Sequence, residues 1–184
     1  MPPGMLHLAQ RSGHGTFVFG DGSHPTTRLC AGAVDLLCRL RPGMAVLDVG
    51  TGTGILARIA RARGASFIVG TDIDTAAIES ARSNAKLDAG SADIHFGDEP
   101  PDQWGARFDL VVANILAEPL VELAPSLVAA LKAPGRLIIS GFTRMQAPVL
   151  RRAFEARGVR TEREAQLDEW TLLMFSTMEP VVRR

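Results

Sequence analysis

The chain has 184 residues, a formal net charge of zero, 46 % apolar and 22 % charged residues. These values exclude a disordered or fibrous protein and one built to coat nucleic acid, and they leave room for one folded domain. No window reaches the roughly 18 consecutive apolar residues of a membrane span, and Met1 to Gln10 lacks the charged start and apolar stretch of a signal peptide, so a cytoplasmic protein is expected.

Short apolar runs alternate with longer segments of helical period, the pattern of a parallel sheet covered by helices. Thr26 to Leu40 has apolar residues at helical spacing and stops at Pro42-Gly43, which predicts a helix before the first strand. That strand is Ala45 to Val49. A glycine-rich turn, Gly50 to Gly54, leads into a helix from Ile55 to about Arg63. Ser66 to Gly70 is the second strand, and Asp74 caps a helix running to about Leu87. A short third strand, Asp93 to Phe96, precedes a turn-rich loop from Gly97 to Gly105. Phe108 to Ala113 is apolar enough to be buried on both faces. Pro119 to Leu131 is predicted helical, Arg136 to Ser140 a fifth strand, and Met145 to Arg157 a helix closed by Gly158. Arg160 to Ala165 and Trp170 to Ser176 are close enough in sequence to pair as an antiparallel hairpin.

Cys30 and Cys38 fall in one expected helix about two turns apart, roughly 12 Å, too far for a disulfide; both are expected as core thiols. His7, His14, His24 and His95 fall at no metal-ligand spacing with one another or with the cysteines, so no metal is expected. His95 on a short strand, Trp170 and Phe175 at strand spacing, and the runs Arg151-Arg152 and Arg183-Arg184 are expected to be structural, core and solvated surface respectively.

The strongest constellation is Asp48-Val49-Gly50-Thr51-Gly52-Thr53-Gly54, followed by Thr71-Asp72-Ile73-Asp74. Glycines at a strand-to-helix turn let backbone approach a ligand, and the helix behind supplies unpaired N–H groups and a partial positive charge. Asp72, about 20 residues on, stands where an acidic residue can accept from both hydroxyls of a ribose. A dinucleotide fingerprint requires Gly or Ala where Ile55 stands. Asp48 lies inside the strand end, where its carboxylate can reach the ammonium of an amino-acid moiety. The D-x-G-x-G-x-G pattern resembles the class I S-adenosylmethionine-dependent methyltransferases. The resemblance implies that cofactor, held by Asp48, Gly50, Thr51, Gly52, Gly54, Asp72 and Ile73.

Asn114-Ile115-Leu116-Ala117 follows the fourth strand, at the end of the sheet where open α/β folds bind ligands. Adenine and glutamine methyltransferases have an aromatic residue where this chain has Ala117, and the chain holds no tyrosine. A flipped base would lack its stacking partner. Phe19 to Cys30, with Gly22-Ser23-His24-Pro25-Thr26-Thr27, resembles the loop opening the catalytic domain of the ribosomal large-subunit protein eleven methyltransferase family. Asn114 to Leu120, Leu123-Ala124-Pro125, Ser140-Gly141, Gln146 and Glu169-Trp170 extend the similarity from about Val18 to Phe175. The resemblance implies a single doubly wound, mostly parallel seven-stranded sheet with a C-terminal antiparallel hairpin. It also implies methylation of lysine side chains and the N-terminal amine of a ribosomal protein. Residues 18–184 are then the catalytic domain and residues 1–17 an N-terminal extension. The family has a separate N-terminal recognition domain, whereas this chain starts almost at the catalytic one. Asp21 and Thr51 replace a threonine and a frequent cysteine.

By the same resemblance His24, Thr26 and Thr27 contact the cofactor; Thr26 also suits a plain helix N-cap. Asp98 suits either a place beside the adenine or simple solvation. Methyl transfer from a sulfonium is an in-line displacement, governed by alignment of a neutral amine with the methyl carbon. Asn114, which the resemblance also implies as a cofactor contact, offers a side-chain carbonyl to accept from that amine and aim its lone pair. No general base is apparent, which leaves solvent to take the amine's proton. The expected partner is a protein, with a small amine as the alternative acceptor and a non-catalytic cofactor-binding module as the alternative class; no nucleic acid or membrane is expected to bind.

Overall fold

Strands that are apolar on both faces demand cover on both faces, and the molecule supplies it. The computed structural model describes residues 22–177; the expected extension 1–17, His7, His14, Asp21 and Arg183-Arg184 lie outside the described residues. In chain order the elements are α1 (Pro25–Leu40), β1 (Ala45–Val49), α2 (Ile55–Ala62), β2 (Phe67–Thr71), α3 (Thr75–Ala85) and β3 (His95–Gly97). After a 3-10 helix (Pro101–Trp104) come β4 (Phe108–Asn114), α4 (Ala117–Ala129), β5 (Leu131–Thr143), α5 (Ala147–Glu155), β6 (Val159–Leu167) and β7 (Trp170–Thr177). The seven strands form one sheet in the order β3-β2-β1-β4-β5-β7-β6. β1 to β5 run parallel, and β7 pairs antiparallel with β5 and β6. The expected sheet and its C-terminal hairpin are both present.

Alternation along each strand splits the interior in two. Val46, Ile68, Leu110, Val112 and Ile138 pack under α1, α2 and α3. Leu47, Val69, Val111, Ala113 and Ile139 pack against α4 and α5 on the other face. Cys30 and Cys38 are free thiols in the first core, and burial pushes the Cys38 thiol up to about 11. Strand order reverses between β1 and β4, so the loops after them diverge and leave a crevice at the carboxyl ends.

Several boundaries differ from the sequence expectation. The cap of α1 is His24, whose side chain accepts from the backbone N–H of Thr26, with Pro25 opening the helix; Thr26 is therefore not the N-cap. α4 tolerates Pro125 and ends at Ala129, because β5 begins at Leu131 and carries Pro134-Gly135 within it. The turn-rich loop holds the 3-10 helix, and β3 starts only at His95. Trp170 was expected in the core. It is half-buried and joins neither core, its ring instead meeting His24 edge-on at 4.8 Å, whereas Phe175 is fully buried. His95, expected to be structural, is exposed and bonded to Glu99 at 2.9 Å.

Arg58 of α2 is fully buried and meets the Asp88 carboxylate at 2.6 Å. Asn84 of α3 donates to the carbonyl of Thr53 at 3.1 Å, so α3 and the segment after it brace the start of α2. Removing one partner of a buried pair leaves an uncompensated charge. Asp88→Ala is expected to lower stability by about 3 kcal/mol, read as a lower urea midpoint.

Candidate functional site

Asp48 stands one residue from the end of β1 and is 1 % exposed. Its Oδ2 accepts from the Thr51 hydroxyl at 2.7 Å and from the backbone N–H of Ala57 at 3.2 Å. One carboxylate thus ties strand, glycine turn and α2 together. Its Oδ1 is buried and has no hydrogen-bond partner among the described residues. Burial pushes the Asp48 carboxyl up to about 7; the bonds from Thr51 and Ala57 hold it back, and the nearby Asp72 charge adds to the rise.

The glycine turn is tied to β2 from the other side. The N–H groups of Gly50 and Thr51 both donate to the carbonyl of Thr71, at 2.8 and 2.9 Å. Asp72 accepts from the N–H of Gly52 at 2.9 Å and of Asp74 at 3.0 Å. Each carboxylate oxygen still has a free lone pair for a ligand hydroxyl. Gly54, which precedes α2, supplies no side-chain cap of its own, and Asp48 takes the N–H of Ala57, so the first turn offers the crevice the N–H groups ahead of Ala57. Ile73 is fully exposed beside Asp72. Asp98 is exposed and follows Gly97, the register partner of Thr71. These two residues are brought to the rim without being fixed by it.

The second arm comes from α1 and β4. Asn114 ends β4, and its Nδ2 donates to the Thr27 hydroxyl at 3.4 Å. The Oδ1 of Asn114 is buried and has no partner among the described residues. Thr26 and Thr27 are both buried, and the Thr26 hydroxyl is hydrogen-bonded to His24 Nδ1 at 2.8 Å. The structure thus joins Asp48, Gly50, Thr51, Gly52 and Asp72 in one network, Thr27 with Asn114 in a second, and His24 with Thr26 and Trp170 in a third.

What sequence reading missed is the wedge that holds the arms together. Ile115 donates its N–H to the carbonyl of Ser140 at 3.1 Å. A Cβ on Gly50 would sit 2.2 Å from Ile115 Cγ2, and one on Gly141 would sit 2.2 Å from the Ile115 carbonyl oxygen. Both glycines also have positive φ, +70° and +99°, a region side chains disfavour. The signal lay in Ser140-Gly141 at the end of a strand, but only the fold brings it to Ile115. Among the described residues no group of three or more His, Cys, Asp and Glu gathers as a metal site would require.

The family model described as ribosomal protein L11 methyltransferase matches residues 15–177. The chain belongs to this family. Proteins of that name from Myxococcus xanthus and Syntrophotalea carbinolica are 43 % identical over 152 residues and 42 % over 158, covering 83 % and 85 % of this chain and 52 % of each relative. The chain spans about half the length of the curated relatives it matches. A crystal structure of ribosomal protein L11 methylase from Lactobacillus delbrueckii subsp. bulgaricus superposes with a TM-score of 0.77 at 34 % identity, covering 85 % of this chain and 80 % of that one. Magnesium protoporphyrin IX methyltransferase from Synechocystis, with bound S-adenosylmethionine, reaches a TM-score of 0.63 at 20 % identity over 90 % of this chain and 87 % of that one, a likeness of fold.

Within this member of the ribosomal protein L11 methyltransferase family, the Gly50–Ile115–Gly141 contact locates Asn114. Gly141→Ala is expected to keep the fold but displace the turn. The measurement is the amide spectrum, with shifts concentrated at Asn114, Ile115 and Gly50 and thermal melting lowered by about 1–3 kcal/mol of stability.

Proposed function

We propose that the chain is an S-adenosylmethionine-dependent N-methyltransferase that acts on lysine or N-terminal amines of a ribosomal protein. Residues 18–184 serve as the catalytic domain, in the cytoplasm. The observation that carries this reading is Asn114: its amide nitrogen is anchored by Thr27 and its buried oxygen is left without a partner. An acceptor of that kind, at the switch point beside a glycine turn, suits an amine N–H.

The residues fit the cofactor. Asp48 Oδ1, buried and unpartnered, answers an ammonium group. The N–H groups of α2 ahead of Ala57 answer a carboxylate. Asp72 keeps lone pairs for ribose hydroxyls, and exposed Ile73 gives an apolar surface beside it for a flat base. His24, Thr26 and Thr27 close the crevice from α1, and Asp98 lies at its β3 rim. When bound, S-adenosylmethionine supplies an electrophilic methyl group on a sulfonium.

The work of the protein is placement. Asn114 Oδ1 accepts an N–H of the neutral amine and turns its lone pair toward the methyl carbon, and Thr27 keeps the amide from rotating away. Alignment of this kind is where most of the acceleration of a displacement arises. The amine loses its proton before attack, and solvent receives it.

Two kinds of measurement test the reading, methyl transfer and pH dependence. With tritiated cofactor and a purified ribosomal protein acceptor, label is expected in the protein fraction; label only in small amines would replace the acceptor class. Asn114→Ala is expected to lower kcat about 100-fold while S-adenosylhomocysteine affinity changes less than about twofold, and unchanged transfer would remove Asn114 from its role. The second measurement is pH dependence. The carboxyl of Asp48 titrates near 7 in the free protein, far above its unfolded value of about 4. The stability it contributes is therefore full below about pH 4 and is lost as pH rises through 7. A ligand ammonium favours the ionised form, so binding releases a proton below pH 7. S-adenosylhomocysteine affinity is expected to rise by up to about tenfold per pH unit between 5.5 and 7, and Asp48→Asn to abolish that slope.

A further inference from the structure

At the opposite end of the sheet, two cavities of about 550 and 640 Å³ share a wall formed by Arg136, Arg160 and Glu162. Arg136 of β5 and Arg160 of β6 both pair in register with Ser176 of β7. The three side chains therefore stand in one cross-strand row on one face of the sheet. Arg163 occupies the next row, opposite Met174. Met174 and Ile138 pack in the core under α1, so this face is the one α1 only partly covers. The facing wall is the last turns of α1, where Leu36 and Leu37 line the larger cavity. Leu36 and Leu40, one turn apart on the same helix face, are 39 % and 72 % exposed. β6 is the last strand of the sheet, so the sheet does not continue past it to close the groove.

The carboxylates near this groove are already matched. Glu162 accepts from Arg136 at 3.0 Å, Asp109 from Arg41 and Lys132 at 3.1 Å each, and Asp35 from Arg63. Burial alone would raise Asp109, yet the Ala45 N–H and the two cations hold its carboxyl below the usual range. By contrast the Arg160 and Arg163 guanidinium groups and the Ser176 hydroxyl make no hydrogen bond or ion pair among the described residues. The groove thus combines an apolar floor and wall with unmatched positive charge on its rim. Among the described residues no aromatic side chain lines it, which disfavours a single-stranded nucleic acid, whose bases need stacking platforms.

We propose that this groove binds an acidic polypeptide segment with interspersed apolar side chains. Its carboxylates meet Arg160, Arg163 and the Ser176 hydroxyl, and its apolar side chains rest on Leu36, Leu37, Leu40 and Met174. The charge complementarity favours this occupant over a second copy of the chain, whose own groove is likewise positive.

A short fluorescent peptide alternating glutamate and leucine is the probe, with the lysine–leucine counterpart, poly-uridine RNA and sedimentation of the protein alone as comparisons. The glutamate peptide is expected to bind, with amide shifts confined to the α1 end, β6 and β7. Affinity is expected to fall with salt and to drop about five- to tenfold in Arg160→Ala/Arg163→Ala, with melting unchanged. Leu36→Ser/Leu40→Ser is expected to weaken the peptide without removing its salt dependence. Equal binding by both double variants, shifts located elsewhere, RNA binding that the arginine variant abolishes while the peptide fails to bind, or self-association through this face would each overturn the proposal.

Discussion

A buried carboxylate organises the carboxyl end of this sheet. Asp48 belongs to β1, yet its bonds go to the turn at Thr51 and to α2 at Ala57. It therefore sets how the chain leaves the strand and enters the helix. The neighbouring strand does the rest, since the Thr71 carbonyl and the Asp72 carboxylate collect three successive turn N–H groups. That arrangement needs β1 in the middle of the sheet, with β2 on one side and β4 on the other. It leaves one oxygen of Asp48 without a partner. An unsatisfied buried acceptor is an unfavourable feature that folded proteins rarely retain, and where it persists a functional cause is the natural reading.

The β4 side of the crevice is built on a different physical device, close packing. Ile115 is wedged between two positions where no side chain fits, Gly50 in the glycine turn and Gly141 at the bulge of β5. Asn114 is covalently next to Ile115, so its place is set by the same wedge. The glycine turn and Asn114 cannot move independently, and a displacement of either arm is felt by the other. Packed interiors transmit strain in this way because they have few voids to absorb it.

The sheet, its order of helices and the hairpin were legible because strand apolarity and helical spacing agreed along the whole chain. The glycine turn with Asp48 and Asp72 was legible as well, since its residues lie within one β–α–β unit and local spacing suffices to place them. What was not legible depends on contacts distant in sequence. The pairing of Thr27 with Asn114 joins positions 87 apart. Trp170 read as core from strand spacing, but strand spacing does not tell which end of a strand meets a helix terminus, and His24 waits there. The extension of β5 through Pro134-Gly135 was hidden because both residues signal a turn, and only the pairing of Leu131 and Arg136 with β4, on either side of them, shows the strand continuing. Neutral net charge likewise concealed that Arg136 and Arg160 share one row.

The choice of an amide at position 114 has its own logic under the proposed chemistry. A carboxylate there would attract an ammonium strongly, and an adjacent negative charge raises an amine's pKa. The acceptor would then be bound tightly in the one form that has no lone pair to donate. A neutral carbonyl oxygen accepts from the amine without favouring its protonation to the same degree. Thr27 completes the device, because a hydroxyl oxygen that accepts from Nδ2 leaves the carbonyl as the side of the amide offered to the crevice. Under the same proposal the negative charge that answers an ammonium is kept on the other arm, in Asp48, where it does not hold the attacking amine in its protonated form.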